Sequence, residues 1–268
     1  MESAADRSMA GWSWLRPWLL GLTGGIGALL FWTLMAFWLK GGGGVISRLP
    51  TPLAVGADLL AYAQGALWRD LAASLQVFLV GWIVGSVSAA VAGMAIGRSR
   101  VIGAVFGPIV EALRPVSSIV WVPLAVVWFG FGFTSKVFLV GLAVFLVVIV
   151  YAIDGARRVA PDLERTATML GMRPLQKFRA LVLPSALTEV LVGARVALMS
   201  GWGTVIVAEL VAADHGLGAH LIAVQQSYDV SAVMASMACF GLAGFVMNAI
   251  FSRFEQWLLP WRSGGAAR

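Results

Sequence analysis

Charge is scarce in this chain. Only 12% of its 268 residues are Asp, Glu, Lys or Arg, while 60% are hydrophobic. A water-exposed globule of this length needs far more polar surface, so a soluble domain is excluded. Cysteine occurs once, as Cys239 inside an apolar run, which rules out an internal disulfide and a cysteine-built metal site. The three lysines, Lys40, Lys136 and Lys177, never follow a glycine. A Gly-x-x-x-x-Gly-Lys-Ser/Thr phosphate loop is therefore missing. His215 and His220 are the only histidines, and Asp214 beside the first does not complete a metal site. No Ser/His/Asp set or carboxylate pair marks an active site.

What is present is long apolar runs. Segments 71–97, 115–135, 137–153 and 230–252 carry no charge at all. A helix needs roughly 20 apolar residues to cross the hydrocarbon core, and these runs meet that length. Backbone groups in lipid must bond within their own segment, so the spans are helical. Six are expected, at 18–39, 71–97, 102–131, 137–154, 186–210 and 231–257. Pro108, Pro115 and Pro123 can kink or split the third. The apolar stretch within residues 1–40 is too long for a cleaved signal and is expected to stay as the first span. Gly41-Gly42-Gly43-Gly44 is a flexible break, and segment 52–69 reads as an amphipathic surface piece. Trp12, Trp14, Trp18, Trp38, Trp68, Trp257 and Trp261 fall near the expected interfaces, as an aromatic belt does. Gly81, Gly85, Ser86, Ser88, Ala89 and Ala92 permit close helix packing in lipid.

The net charge of +6 and the pI of 10.2 do not point to nucleic acid, because the basic residues gather on one side of these spans. With the N-terminus inside, Arg7, Arg16, Arg98, Arg100, Arg157, Arg158, Arg165, Arg173, Lys177, Arg179, Arg253, Arg262 and Arg268 all fall on the inner side. Only Lys40, Arg48, Arg69 and Lys136 fall outside, and Arg114 and Arg195 lie within spans. The positive-inside rule then puts both termini, and the loop at 155–185, in the cytoplasm.

That loop carries structure of its own. Pro161-Asp162 is expected to start a helix, with Asp162 as N-cap and Glu164 in the first turn. Leu163, Ala167 and Leu170 make one apolar stripe. Gly171 is suited to the left-handed residue that ends a helix. Pro174 fits the start of a second helix, continued by Leu175, Phe178 and Val182, and Pro184 marks the start of the fifth span.

The same stretch reads Leu163-Glu164-Arg165-Thr166-Ala167-Thr168-Met169-Leu170-Gly171, then nine residues, then Leu181-Val182-Leu183-Pro184. It resembles the EAA loop of bacterial ABC importer permeases, in which an acidic-Ala-Ala triplet leads to a Gly and then to an apolar-x-Leu-Pro end. One departure stands out: Arg165 and Thr166 hold the first two triplet positions, only Ala167 matches, and Glu164 comes one residue early. From about Asp70 onward the chain also resembles the nitrate/sulfonate/taurine/bicarbonate branch of these permeases. The stretches that carry this are Leu113-Arg114-Pro115, Pro123-Leu124, Trp128-Phe129-Gly130, Gly193-Ala194-Arg195, Gly201-Trp202, Ala208-Glu209-Leu210 and Gly216-Leu217-Gly218.

The resemblance implies an all-α polytopic protein of the bacterial inner membrane, with a coupling helix-turn-helix between spans 4 and 5. It implies a tail, first span and outer connection at 1–68, a permease core at 69–258 with coupling loop 161–184, and a cytoplasmic tail at 259–268. The implied partners are a cytoplasmic ABC ATPase dimer, a second permease copy, a periplasmic or lipid-anchored solute-binding protein, and lipid. ATP and Mg would sit on the ATPase; this chain would hold no cofactor and would not be an enzyme. Glu164, Arg165, Ala167, Leu170, Gly171, Leu175, Phe178, Leu183 and Pro184 would form the ATPase-coupling surface.

Charges within spans need a reason, because each costs roughly 2.5–3.5 kcal/mol at the bilayer centre. Glu111 and Arg114 stand three apart on one helix face. Arg195, Trp202 and Glu209 are spaced by seven and so share nearly one face. These five are candidates for the translocation path or its gate. Arg114 or Arg195 either attracts an anionic substrate or belongs to a structural ion pair, and the sequence leaves both open. Segment 214–229 is expected to touch the binding protein. The expected function is the permease subunit of an ATP-driven importer of a small anion. The alternatives are another importer branch, for phosphonate or amino acid, and an intramembrane enzyme or scaffold.

Overall fold

The computed structural model describes residues 16–40, 49–212 and 215–258. Arg7, the Gly41–Gly44 break, Asp214 and the tail at 259–268 lie outside them. Among the described residues the secondary structure is entirely helical. In chain order the helices are α1 (Arg16–Lys40), α2 (Pro52–Gln64), α3 (Leu67–Arg98), α4 (Arg100–Leu113), α5 (Val122–Phe129), α6 (Phe133–Arg157), α7 (Pro161–Met169), α8 (Pro174–Lys177), α9 (Leu183–Ala212), α10 (Leu217–Gln226) and α11 (Val230–Leu258).

The chain divides into two compact units. The first comprises residues 1–65 and 224–237. In it, Trp32 Nε1 donates to the Pro50 carbonyl at 3.1 Å, tying α1 to the segment before α2. Thr51 caps α2, with Pro52 in the first turn.

The second unit comprises 66–223 and 238–268, and its centre is α3, α6 and α9. The α3–α6 seam is made by glycine. A Cβ on Gly81 would meet Val140, one on Gly93 would meet Ala152, and one on Gly97 would meet Ile153 and Ala156. On Gly85 it would run into the carbonyl oxygen of Gly141. With Ala89, also fully buried, these residues recur every fourth position, so one face of α3 lies backbone-to-backbone on α6. Ser88 is not on this seam: it is exposed, and its hydroxyl returns to the Val84 carbonyl at 2.7 Å. Ala92 is also off the fourfold row.

Four helical stretches are long and apolar enough to cross a membrane: Leu67–Arg98, Phe133–Arg157, Pro174–Val211 and Val230–Gln256. The expected span at 102–131 is not one straight helix. Arg100–Leu113 and Ser118–Phe129 meet at 97°, so the region is a broken pair. Pro115 supplies the reason, since it has no N–H and its ring crowds the carbonyl four residues back. After the break, extended Ser117 caps a 3₁₀ turn at Ser118–Trp121 that leads into α5. Val122 and Ala125 of this pair then pack on Leu139 and Ala208. The expected fifth span differs as well. Its helix begins far earlier than position 186, because α8, a π-helical turn at Phe178–Val182 and α9 run as one 38-residue stretch. Pro184 thus sits inside a helix rather than at its start, and the widened π turn before it absorbs the missing donor.

Candidate functional site: a coupling knob and the ties that hold it

The segment 161–184 folds as a helix, a glycine turn and a second helix. Its start differs from the expectation. Ala160, not Asp162, is the N-cap, and Pro161 opens the helix, so Asp162 and Glu164 both lie in the first turn. There they still favour the positive end of the helix dipole. Gly171 has φ 71°. Around it the Met172 N–H donates to the Ala167 carbonyl and the Gly171 N–H to the Thr168 carbonyl, each at 3.0 Å. This pair of bonds is a Schellman motif, and it needs the left-handed residue. The second helix is stapled back to the first, because Lys177 Nζ donates to the Thr168 hydroxyl at 2.8 Å. Gln176 Oε1 accepts from the Arg173 N–H and closes the start of α8.

Within the apolar stripe of Leu163, Ala167 and Leu170, Ala167 is buried, whereas Leu163 and Leu170 are exposed. Exposed Leu163, Met169, Leu170 and Leu175 leave the knob with apolar surface, while Val182 is buried and Phe178 and Leu183 are half-buried at its base. Pro184 is exposed.

One ion pair ties this knob to the core, and a second closes its base. Arg98, the last residue of α3, meets Glu164 at 2.8 Å. Arg158, just past α6, meets Glu189 of α9 at 2.5 Å. Arg165, at the family's acidic position, points elsewhere: it is largely exposed and lies 3.5 Å from Asp162, one turn back. Glu164 is thus the acidic residue engaged with the helical core itself.

The three heptad-spaced residues of α9 all face protein. Arg195 Nη1 donates to Glu255 of α11 at 2.8 Å, and Nη2 lies 3.5 Å from the Ser252 hydroxyl. Trp202 is buried, stacks on Phe240 at 4.4 Å, and donates from Nε1 to the Phe240 carbonyl at 3.1 Å. Its other edge meets Phe78 of α3. Glu209 is 1% exposed, accepting the Ser74 hydroxyl and the Gly218 N–H, each at 2.7 Å. Glu111 and Arg114 pair with each other at 3.5 Å on an exposed face of α4. Glu111 also lines a cavity of about 150 Å³ with Asp154 and Arg157. That is below the roughly 300 Å³ where ligand pockets begin.

Ser74, Arg98 and Glu255 were not singled out from sequence. Each lies far along the chain from its partner, and the only signal was that a charge inside an apolar run must be balanced. A test follows for one pair. Arg195→Ala takes the guanidinium away from the Glu255 carboxylate, whose side chain is 11% exposed. The loss is expected to be about 1 kcal/mol, below the range of about 1.5–3 for a hydrogen bond to a charged group because the Arg195 side chain is 42% exposed and partly screened by solvent. Arg195→Ala with Glu255→Gln is expected to recover part of it, measured as the thermal unfolding midpoint in detergent.

Long apolar helices, a glycine-hinged knob and a helix pair bent at 97° define a polytopic helical membrane protein. The chain matches the family described as "Binding-protein-dependent transport system inner membrane component" over residues 81–264, and it belongs to that family. It is an ABC importer permease. It is similar to the taurine transport system permease protein TauC of Escherichia coli (strain K12), at 35% identity over 219 residues and 80% of each chain. It is also similar to the putative aliphatic sulfonates transport permease protein SsuC of Bacillus subtilis (strain 168), at 30% identity over 244 residues, 88% of this chain and 87% of that one. In fold it resembles the MetNI methionine ABC transporter in inward-facing conformations, with TM-score 0.62 and 16% identity over 71% of this chain and 94% of the other.

Proposed function

We propose that this chain imports a small sulfonate-type anion through a path formed with a second permease copy, and that a separate ATPase docks on the knob at 161–184. One observation carries the coupling role: an apolar knob, hinged at Gly171, is braced to the core by Arg98–Glu164 and continues without interruption into a membrane-length helix. The lysine and arginine distribution supports a cytoplasmic position for that knob and both termini, where ATP is available. ATP and Mg sit on the partner, since the sequence lacks a phosphate loop.

The substrate class is supported by TauC and SsuC, whose names specify taurine and aliphatic sulfonates. Nitrate and bicarbonate are the other anions that the resemblance allows. A second copy is invoked because one chain of this size is small for a gated path. Solute reaches the outer face on a binding protein, and segment 214–229 is its expected contact. Uptake of radiolabelled taurine by cells with and without this chain tests the reading. Loss of uptake, restored by the chain, supports it. Unchanged taurine uptake with lost nitrate or bicarbonate uptake would move it to that substrate.

A further inference from the structure

The first turn of α10 is held by side chains from two other helices. A helix start leaves four backbone N–H groups without partners inside the helix. Here the Leu217 N–H donates to the Ser74 hydroxyl oxygen at 2.9 Å, and the Gly218 N–H donates to Glu209 Oε2 at 2.7 Å. The Ser74 hydroxyl in turn donates to Glu209 Oε1 at 2.7 Å. Both oxygens of the carboxylate are therefore used, one on α3 and one on α10, while the residue itself belongs to α9. Ser74, Glu209 and Leu217 are all at most 2% exposed.

The chain is cut to fit this closure. Gly216 has φ 133°, and a Cβ there would run into the Glu209 carboxylate. A Cβ on Gly218 would lie 2.8 Å from Glu209 Cβ. Only glycine at both places lets the turn close over the acid. A buried anion at a helix N-terminus, hydrogen-bonded through both oxygens, is favoured by the helix dipole. Lys136, half-buried at the start of α6, adds positive charge within reach. Asp70, one turn before Ser74, exerts a field on His220 of α10, whose pKa is lowered by burial and pulled back upward by that carboxylate. The ends of α3 and α9 thus meet the first turn of α10 around one buried carboxylate.

Glu209 also stands near one end of the stretch Pro174–Val211, whose other end is the coupling knob. At 1.5 Å per residue that stretch is a rod of about 55 Å. We propose that Glu209 and Ser74 are positioning residues forming a latch, through which the state of the ATPase at the knob is transmitted to α10 on the opposite face. There α10 would report to, and be moved by, the extracytoplasmic binding protein. The proposal rests on the reading of 161–184 as the ATPase dock. Coupling between sites is reciprocal, so it can be read from the ATPase side without knowing the solute.

The experiment uses the full chain with its partner ATPase in lipid nanodiscs. Cys239→Ser removes the native thiol, and Ala223→Cys, exposed on α10, carries an environment-sensitive fluorophore. ATP with vanadate is the probe, and the fluorescence change is the readout. The parent is expected to respond. Ser74→Ala, which takes away the hydroxyl that bridges Leu217 and Glu209, is expected to cut the response by about fivefold or more. It is expected to keep ATP hydrolysis within about twofold of the parent. Glu209→Ala is expected to abolish the response. Glu209→Gln still accepts from Gly218 and can donate to Ser74, so it is expected to retain most of it. Should Glu209→Ala fail to assemble, Ser74→Ala decides the matter. A full response in Ser74→Ala overturns the latch, as does a parent that hydrolyses ATP without any response. Parallel loss of response and hydrolysis in Ser74→Ala also overturns it, because the contact then serves folding alone. Failure of any ATPase to bind the parent is a different outcome: it overturns the coupling reading itself.

Discussion

Valine at position 85 is expected to destabilise the folded state severely. Gly85 lies at the tightest point of the α3–α6 seam, where an added Cβ would run into the Gly141 carbonyl oxygen and lie 3.0 Å from Val144 Cβ. Neither obstacle can rotate away, because one is backbone and the other is a stiff β-branched residue. The helices must part along the seam, which also opens the contacts at Gly81, Gly93 and Gly97. Overpacking of this kind costs about 3 kcal/mol or more. That is a large share of a net stability of about 5–15 kcal/mol. Membrane insertion is decided by hydropathy and is expected to survive. The monodisperse peak of a detergent-solubilised fluorescent fusion is expected to be lost. Gly56→Ala, where a Cβ meets nothing within 4 Å, is the control and is expected to elute as the parent does. An unchanged peak for Gly85→Val would show that the seam is looser than described.

Gly171→Val is expected to act in the opposite way, sparing the fold and destroying coupling. A Cβ at 171 meets nothing within 4 Å, so no clash arises. The cost comes from the backbone, since φ 71° is a left-handed conformation that a β-branched residue resists by roughly 1–2 kcal/mol. Relaxing it breaks the Met172–Ala167 and Gly171–Thr168 hydrogen bonds and swings α8 away from α7. Leu175 on α8 then no longer shares one surface with the exposed Leu163, Met169 and Leu170. Co-purification of the ATPase is expected to fall by about tenfold, equivalent to 1.4 kcal/mol. Solute uptake is expected to fall with it. Gly171→Asn tolerates the left-handed region and is expected to retain both. If valine and asparagine behave alike, the turn is not the element that matters.

How much of this was legible in the sequence depends on the range of the signal. The spans could be read because an uncharged run needs no partner to be recognised. Gly171 could be read because a helix stop is local, and its positive φ agrees with that expectation. The family resemblance rested on the same local spacing. The bend at 113–118 was only half legible: three prolines indicated a kink, but none specified two helices at 97°. Asp162 was misplaced as a cap because Pro161 already starts the helix and shifts the cap to Ala160.

The ties of α9 were the least legible part. Heptad spacing put Arg195, Trp202 and Glu209 on one face, and the structure turns all three toward protein. Their partners are separated from them by 60, 38 and 135 residues for Glu255, Phe240 and Ser74. Nothing local encodes such pairings. A polar residue within an apolar run announces that a partner exists, and only the packed bundle says which. Glu209 thus moves from a candidate for the solute path to a helix-capping acid with both oxygens taken.

The central claim is that a separate ATPase sits on the knob at 161–184. Photo-crosslinking in living cells tests it most directly. A benzophenone amino acid at Met169, which is 86% exposed at the tip of the knob, is to be compared with the same group at exposed Tyr228, beyond α10. The account predicts that Met169 forms one dominant adduct, to a cytoplasmic polypeptide carrying a nucleotide-binding phosphate loop, and that the Tyr228 position forms none with it. An adduct to that ATPase from Tyr228 rather than from Met169 would contradict both the docking site and the orientation on which the account stands.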